Sequence, residues 1–197
     1  MIEKMTNDLV KQMSNEKLID VKKEKDYVYA FTCMIEKILT LGTIIIISIC
    51  LNLFINTLIF LIFFLSLRKR TGGYHANTFL QCYLGTVSTY MLIVFVDNFL
   101  LRNFRSLEVF LIISIVIIWM IGTINHPNMN MNSYELLESK KAARLILMLE
   151  SGIIYFSIFA GVNPISINYM SISIILCAVL LLIAKILNQE VKKYEEG

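Results

Sequence analysis

The chain has 197 residues, of which 57% are apolar and 17% charged, with a formal net charge of +3. Soluble domains carry about 25% charged residues. With a mean hydropathy of +0.69, the composition excludes an ordinary soluble domain and reads as an all-helical polytopic membrane protein. The small positive balance gives no reason to expect a nucleic-acid partner, because the basic residues stand at the edges of apolar stretches, where membrane topology accounts for them.

Residues 1–27 hold six lysines and six acidic side chains. Ile2, Met5, Leu9 and Met13 recur at helical spacing, and Leu18 and Val21 extend the pattern. The segment reads as an N-terminal amphipathic helix on the membrane surface or as a charged cytoplasmic helix packed on its own membrane domain. The first long apolar run does not follow a short basic N-region closely, as it would in a signal peptide, so this segment is expected to be retained.

The apolar stretch ending at Leu67 is too long for one untilted span at about 1.5 Å per residue. Asn52 and Asn56 interrupt it, which predicts spans over 31–50 and 54–67. A third span is predicted over 78–100, closed by Arg102-Asn103-Phe104-Arg105, and a fourth over 107–124. A fifth over 143–160 and a sixth over 165–187 flank the turn Gly161-Val162-Asn163-Pro164. The expected organisation is an interfacial segment 1–27, an integral membrane domain 28–187 and a charged cytoplasmic tail 188–197. The basic groups at 68–70, 140–144 and 185–193 would share the cytoplasmic side with both termini. Arg102 and Arg105 would then face outward, against that rule, which leaves room for a re-entrant piece in place of a simple span.

Polar chemistry concentrates in Arg68-Lys69-Arg70-Thr71-Gly72-Gly73-Tyr74-His75, with Cys82 seven residues after the histidine. Cys33, Cys50, Cys82 and Cys177 lack disulfide or metal-ligand spacing. With only His75 and His126 as histidines, neither a metal nor a cofactor is expected. A histidine and a cysteine can form a covalent catalyst at neutral pH. On a continuous helix, residues seven apart would lie about 10 Å apart along the axis. Direct proton transfer needs roughly 2.6–3.2 Å, so a dyad requires irregular backbone before Cys82, which Gly72-Gly73 would provide. A helix starting near Asn77 or Thr78 would put Cys82 in its first turns, where the positive helix end favours a thiolate. Backbone N–H groups near 81–83 are the expected oxyanion donors, with the side chains of Gln81 and Asn77 as weaker ones. Asp97 is a distant candidate to orient His75. The plain alternative is a solvated interfacial histidine and a small packing cysteine. Lys69 and Arg70 read as topology anchors, and Arg68 stands between anchor and contact to an acidic peptide or anionic lipid.

The run Arg68-Lys69-Arg70-Thr71-Gly72-Gly73-Tyr74-His75-Ala76-Asn77 followed by Cys82 resembles the accessory gene regulator protein B family of bacterial quorum-sensing membrane endopeptidases. The family's recurring arginine, glycine, histidine and cysteine match Arg68, Gly73, His75 and Cys82. A second match runs from His126-Pro127-Asn128-Met129 to Lys140-Lys141, although His126 replaces the usual alanine and the loop is rich in Asn and Met rather than lysine. Pro127, Lys140 and Lys141 are therefore secondary candidates.

The resemblance implies a cysteine endopeptidase with His75 and Cys82 as its catalytic pair. Its substrate would be a small amphipathic signal propeptide, cleaved C-terminal to the signal sequence and held as a Cys82 thioester. An internal cysteine or serine would then close a thiolactone or lactone. Residues 1–27 would meet the propeptide leader at the membrane surface. The resemblance also implies a multi-pass protein of the bacterial cell membrane, in contact with lipid and plausibly homodimeric. The competing reading is a small peptide transporter or export factor without covalent chemistry, and a third is a structural or regulatory membrane subunit.

Overall fold

The computed structural model describes residues 2–16, 18–20, 23–74, 78–102, 104–125 and 131–188. Among them are seven helices and no strand: α1 (Ile2–Asn15), α2 (Glu24–Cys50), α3 (Phe54–Thr71), α4 (Phe79–Arg102), α5 (Phe104–Ile121), α6 (Ser133–Phe159) and α7 (Pro164–Ile186). Each of the six expected apolar segments corresponds to one helix from α2 to α7. Four of these helices contain segments long and apolar enough to cross a membrane, namely Tyr27–Cys50, Phe79–Val96, Ser133–Phe159 and Pro164–Ile186. The count of six crossings is therefore approximate. The apolar part of α5, Ser106–Ile121, is shorter, and α3 ends on Arg68, Lys69 and Arg70.

Asn52 makes the turn between α2 and α3, with a φ of 57°. Asparagine tolerates that left-handed conformation better than other side chains. At the other end of the chain, Asn163 caps α7 by accepting the Ile165 N–H at 3.0 Å, with Pro164 at the first helical position. Helix α6 starts ten residues before the expected fifth span. Its start is fixed by a capping box, in which the Asn132 side chain accepts the Glu135 N–H at 2.8 Å and the Glu135 carboxylate accepts the Asn132 N–H at 2.9 Å. At about 40 Å, this 27-residue helix exceeds the hydrocarbon thickness of a bilayer. Its polar first turns therefore extend beyond the apolar zone.

Helix α7 is the hub. It packs against α3, α4, α5 and α6, and buries Ile174, Cys177, Ala178 and Leu181 among Leu67, Leu111, Ile118, Leu147 and Ile154. A second cluster joins Ile44, Phe60, Tyr90, Leu107 and Tyr169. Lipid tails are as apolar as these side chains, so burial alone does not hold the helices together. Close packing and interhelical hydrogen bonds do, the latter at about 0.6 kcal/mol each on average. Such bonds are made by Thr57 with Tyr90 at 2.6 Å, Asn56 with Ser166 at 2.9 Å, Thr43 with Tyr83 at 3.1 Å, and Ser66 with Glu150.

Helix α1 lies on α2. Thr6 and Val10 are buried there, and the Thr6 and Thr32 hydroxyls are 2.9 Å apart. Met5 and Leu9 stay exposed on α1. Packing against the membrane domain thus occupies one part of the amphipathic helix and leaves an apolar pair outside it.

Candidate active site

The last turn of α3 separates its three basic side chains. Lys69 and Arg70 point outward and are exposed, whereas Arg68 is half-buried. The Arg68 guanidinium donates to the Gly72 carbonyl through Nη1 and to the Tyr74 carbonyl through Nη2, the second at 2.5 Å. One planar fork thus holds two carbonyls of the segment that leads into His75. A lysine ammonium has no such fixed fork.

The two glycines make this fold-back possible. Gly72 ends α3 with a φ of 66°, and Gly73 follows with a φ of 122°. Both angles lie where side chains are strained. At Gly73 a Cβ would also overlap Arg68 Nη1 and come 3.3 Å from the Leu180 backbone. The glycine is required twice over, by its conformation and by the arginine seated against it.

Other elements fix the same segment from outside. The Tyr74 N–H donates to the Leu180 carbonyl of α7 at 3.1 Å. The Ile124 N–H donates to the Thr71 carbonyl at 3.0 Å. The Thr123 and Ser139 hydroxyls both donate to the Arg70 carbonyl, at 2.9 and 3.0 Å. The C-terminal ends of α3 and α7, the segment after α5 and the start of α6 therefore meet at one end of the bundle.

Cys82 enters from α4 and is exposed. Thr78 starts that helix: its carbonyl accepts the Cys82 N–H at 3.1 Å and its Oγ1 accepts the Gln81 N–H at 3.4 Å. The expectation that Cys82 falls in the first turns of a helix starting near residue 78 agrees with this geometry. Of the N–H groups near 81–83 expected as oxyanion donors, those of Gln81 and Cys82 are directed at Thr78. The other two donors of this helix start belong to Phe79 and Leu80. The Gln81 side chain is exposed. The Arg68 guanidinium interacts electrostatically with the thiols of Cys177 and, more weakly, Cys82. Cys177 is buried in α7, with its Sγ 3.7 Å from the Phe64 carbonyl. This inner neighbour of Arg68 was not singled out from the sequence, where it read as a packing residue.

His75, Asn77, His126 and Pro127 lie outside the described residues, and so does the side chain of Asp97. Lys140 is half-buried and its side chain lies over Gly122, where a Cβ would come 3.0 Å from Lys140 Cγ. Lys141 is exposed. Arg144 donates to the Trp119 carbonyl at 3.2 Å and stacks 5.5 Å from the Trp119 ring centroid. An open cleft of about 490 Å³ borders the α3 end, lined by Lys69 and Arg70 and by Tyr134, Glu135 and Glu138 of α6. Cys82 is not part of its lining. Among the described residues, no three His, Cys, Asp or Glu side chains are grouped as a metal site would need.

These features define a class: a helical membrane protein with an arginine-clamped glycine turn at one end of the bundle and an exposed cysteine in the first turn of a helix. The family model for Accessory gene regulator B (AgrB) matches residues 2–187, and the chain belongs to that family. No curated protein and no solved structure matches the chain. Membership makes it a multi-pass membrane protein with a role in the processing of a quorum-sensing propeptide.

Proposed function

We propose that the protein is a cysteine endopeptidase that cuts its propeptide C-terminal to the signal sequence, with Cys82 as nucleophile and His75 as its base. The observation that carries this reading is the Arg68 clamp. The guanidinium fixes the Gly72 and Tyr74 carbonyls, immediately before the position of His75. The cation thus fixes the described backbone that leads to the residue matched to the family's histidine.

The chemistry follows from the residue types. His75 takes the Cys82 proton, and the thiolate attacks the scissile carbonyl carbon. The C–N bond then breaks, the imidazolium protonates the departing amine, and the signal portion remains on Cys82 as a thioester. An internal thiol of that portion attacks the thioester carbonyl, giving a thiolactone and freeing Cys82; a serine hydroxyl would give a lactone. The acyl group keeps its reactivity through the exchange, and exclusion of water protects it from hydrolysis. Arg68 and the positive end of α4 both favour negative charge at this place. The roles of Arg68 and Gly73 in this account are to position the backbone before His75. The basic end of the bundle faces the cytoplasm, from which the propeptide arrives.

The test is intact-mass analysis of the purified protein incubated with the propeptide encoded beside its gene. A hydroxylamine-sensitive adduct is expected on wild type, absent in Cys82→Ala and reduced in His75→Ala. Cleavage that survives in both folded variants would exclude this pair. Peptide movement across a membrane without cleavage would favour a transporter instead.

A further inference from the structure

The last carbonyls of an α-helix have no partner within the helix, and in α3 they are satisfied by other elements. The Gly72 N–H closes back on Arg68, but the Arg70 and Thr71 carbonyls turn to the segment after α5 and to α6. A carbonyl oxygen has two lone pairs. At Arg70 one hydroxyl comes from Thr123, 1% exposed, and the other from Ser139, 8% exposed. The Thr71 hydroxyl is turned back to the Leu67 carbonyl, so it does not substitute for either. Four residues separate Arg70 from His75, and the intervening turn is held by Arg68 and Leu180.

We infer that Thr123 and Ser139 are positioning residues for the reaction, acting through the Arg70 carbonyl to set where the Gly72–Tyr74 turn leaves α3. The inference rests on the proposed role of His75 and Cys82. Neither hydroxyl touches substrate in this account. Each fixes the direction of the α3 terminus, and with it the arm that carries His75. A displacement of about 1 Å at a catalytic group costs on the order of 100-fold in rate, so loss of both hydroxyls acts on the chemical step before it acts on binding.

The experiment compares wild type, the double variant Thr123→Val/Ser139→Ala and the exchange variant Thr123→Ser/Ser139→Thr, all as full-length protein in lipid nanodiscs. Three quantities are read with the propeptide encoded beside the gene: the single-turnover rate of Cys82 acylation, the propeptide Kd, and amide exchange in peptides covering 70–74. The double variant is expected to lose roughly 10- to 100-fold in acylation rate, with Kd changed less than about threefold and faster exchange over 70–74. The exchange variant, which keeps both hydroxyls, is expected to recover most of the rate. An unchanged rate in the folded double variant would overturn the inference. So would rate and binding falling together in proportion to the folded fraction, or a loss that the exchange variant fails to restore. Failure of the underlying reading is separately visible, as an absence of Cys82-dependent acylation in wild type, and the inference would fall with it.

Discussion

At the scale of single residues, Arg68 and Gly73 form one device. Replacing Arg68 by lysine keeps a positive charge and removes the two-pronged grip on the Gly72 and Tyr74 carbonyls. Single-turnover cleavage by Arg68→Lys is expected to fall by roughly tenfold or more, while Lys69→Gln, an exposed position, stays within about twofold. Retention of full activity by Arg68→Lys would mean that charge, not the fork, is what the site uses. Gly73→Ala adds strain of about 1–3 kcal/mol at its positive φ and displaces Arg68 as well. It should therefore lose activity together with thermal stability. Gly152→Ala is the control: a Cβ there meets nothing within 4 Å, and alanine favours a helix by about 0.8–1.0 kcal/mol. Its melting temperature should be unchanged or higher. The need for irregular backbone was legible in Gly72-Gly73, because seven residues of helix would hold His75 and Cys82 apart. The sequence already set Arg68 apart from Lys69 and Arg70, but its grip on carbonyls of its own chain was not legible, since those acceptors exist only once the chain folds back over it.

At the scale of elements, apolar length located α2 to α7, and Asn or Gly-to-Pro punctuation located two of the turns. The start of α6 was misplaced by ten residues because hydropathy marks where a helix enters lipid, not where it begins. The signal was present in Asn132-Ser133-Tyr134-Glu135, whose spacing builds the capping box. Asn132→Ala is expected to cost about 0.5–2 kcal/mol, read as a lower melting temperature, and Asn132→Asp should preserve most of the stability. If Asn132→Ala melts like wild type, the polar first turns of α6 hold through tertiary contacts alone. The pairing of Ser66 with Glu150 across α3 and α6 was equally invisible, because residues 84 apart in sequence meet only through helix packing. The partners of the N–H groups expected as oxyanion donors were set locally: the Gln81 N–H meets the Thr78 hydroxyl, and the Cys82 N–H makes the first ordinary backbone bond of the helix, to the Thr78 carbonyl.

At the scale of the whole molecule, the ends of α3, α5 and α7 and the start of α6 converge on one side, together with Arg68, Lys69, Arg70, Lys140 and Arg144. That convergence matches the basic clusters from which a cytoplasmic face was expected. In a variant without native cysteines, single cysteines at Lys69 and Lys141 should react with a membrane-impermeant maleimide only after the cytoplasmic side is opened. A cysteine at Arg102 should react from outside. Labelling of Arg102→Cys only from the cytoplasm would replace a simple crossing with a re-entrant path. The central claim concerns covalent chemistry at Cys82, and intact-mass analysis with the propeptide encoded beside the gene tests it most directly. The account predicts a hydroxylamine-sensitive acyl adduct on wild type that requires Cys82 and forms more slowly in His75→Ala. Propeptide cleavage by a folded Cys82→Ala protein would contradict it.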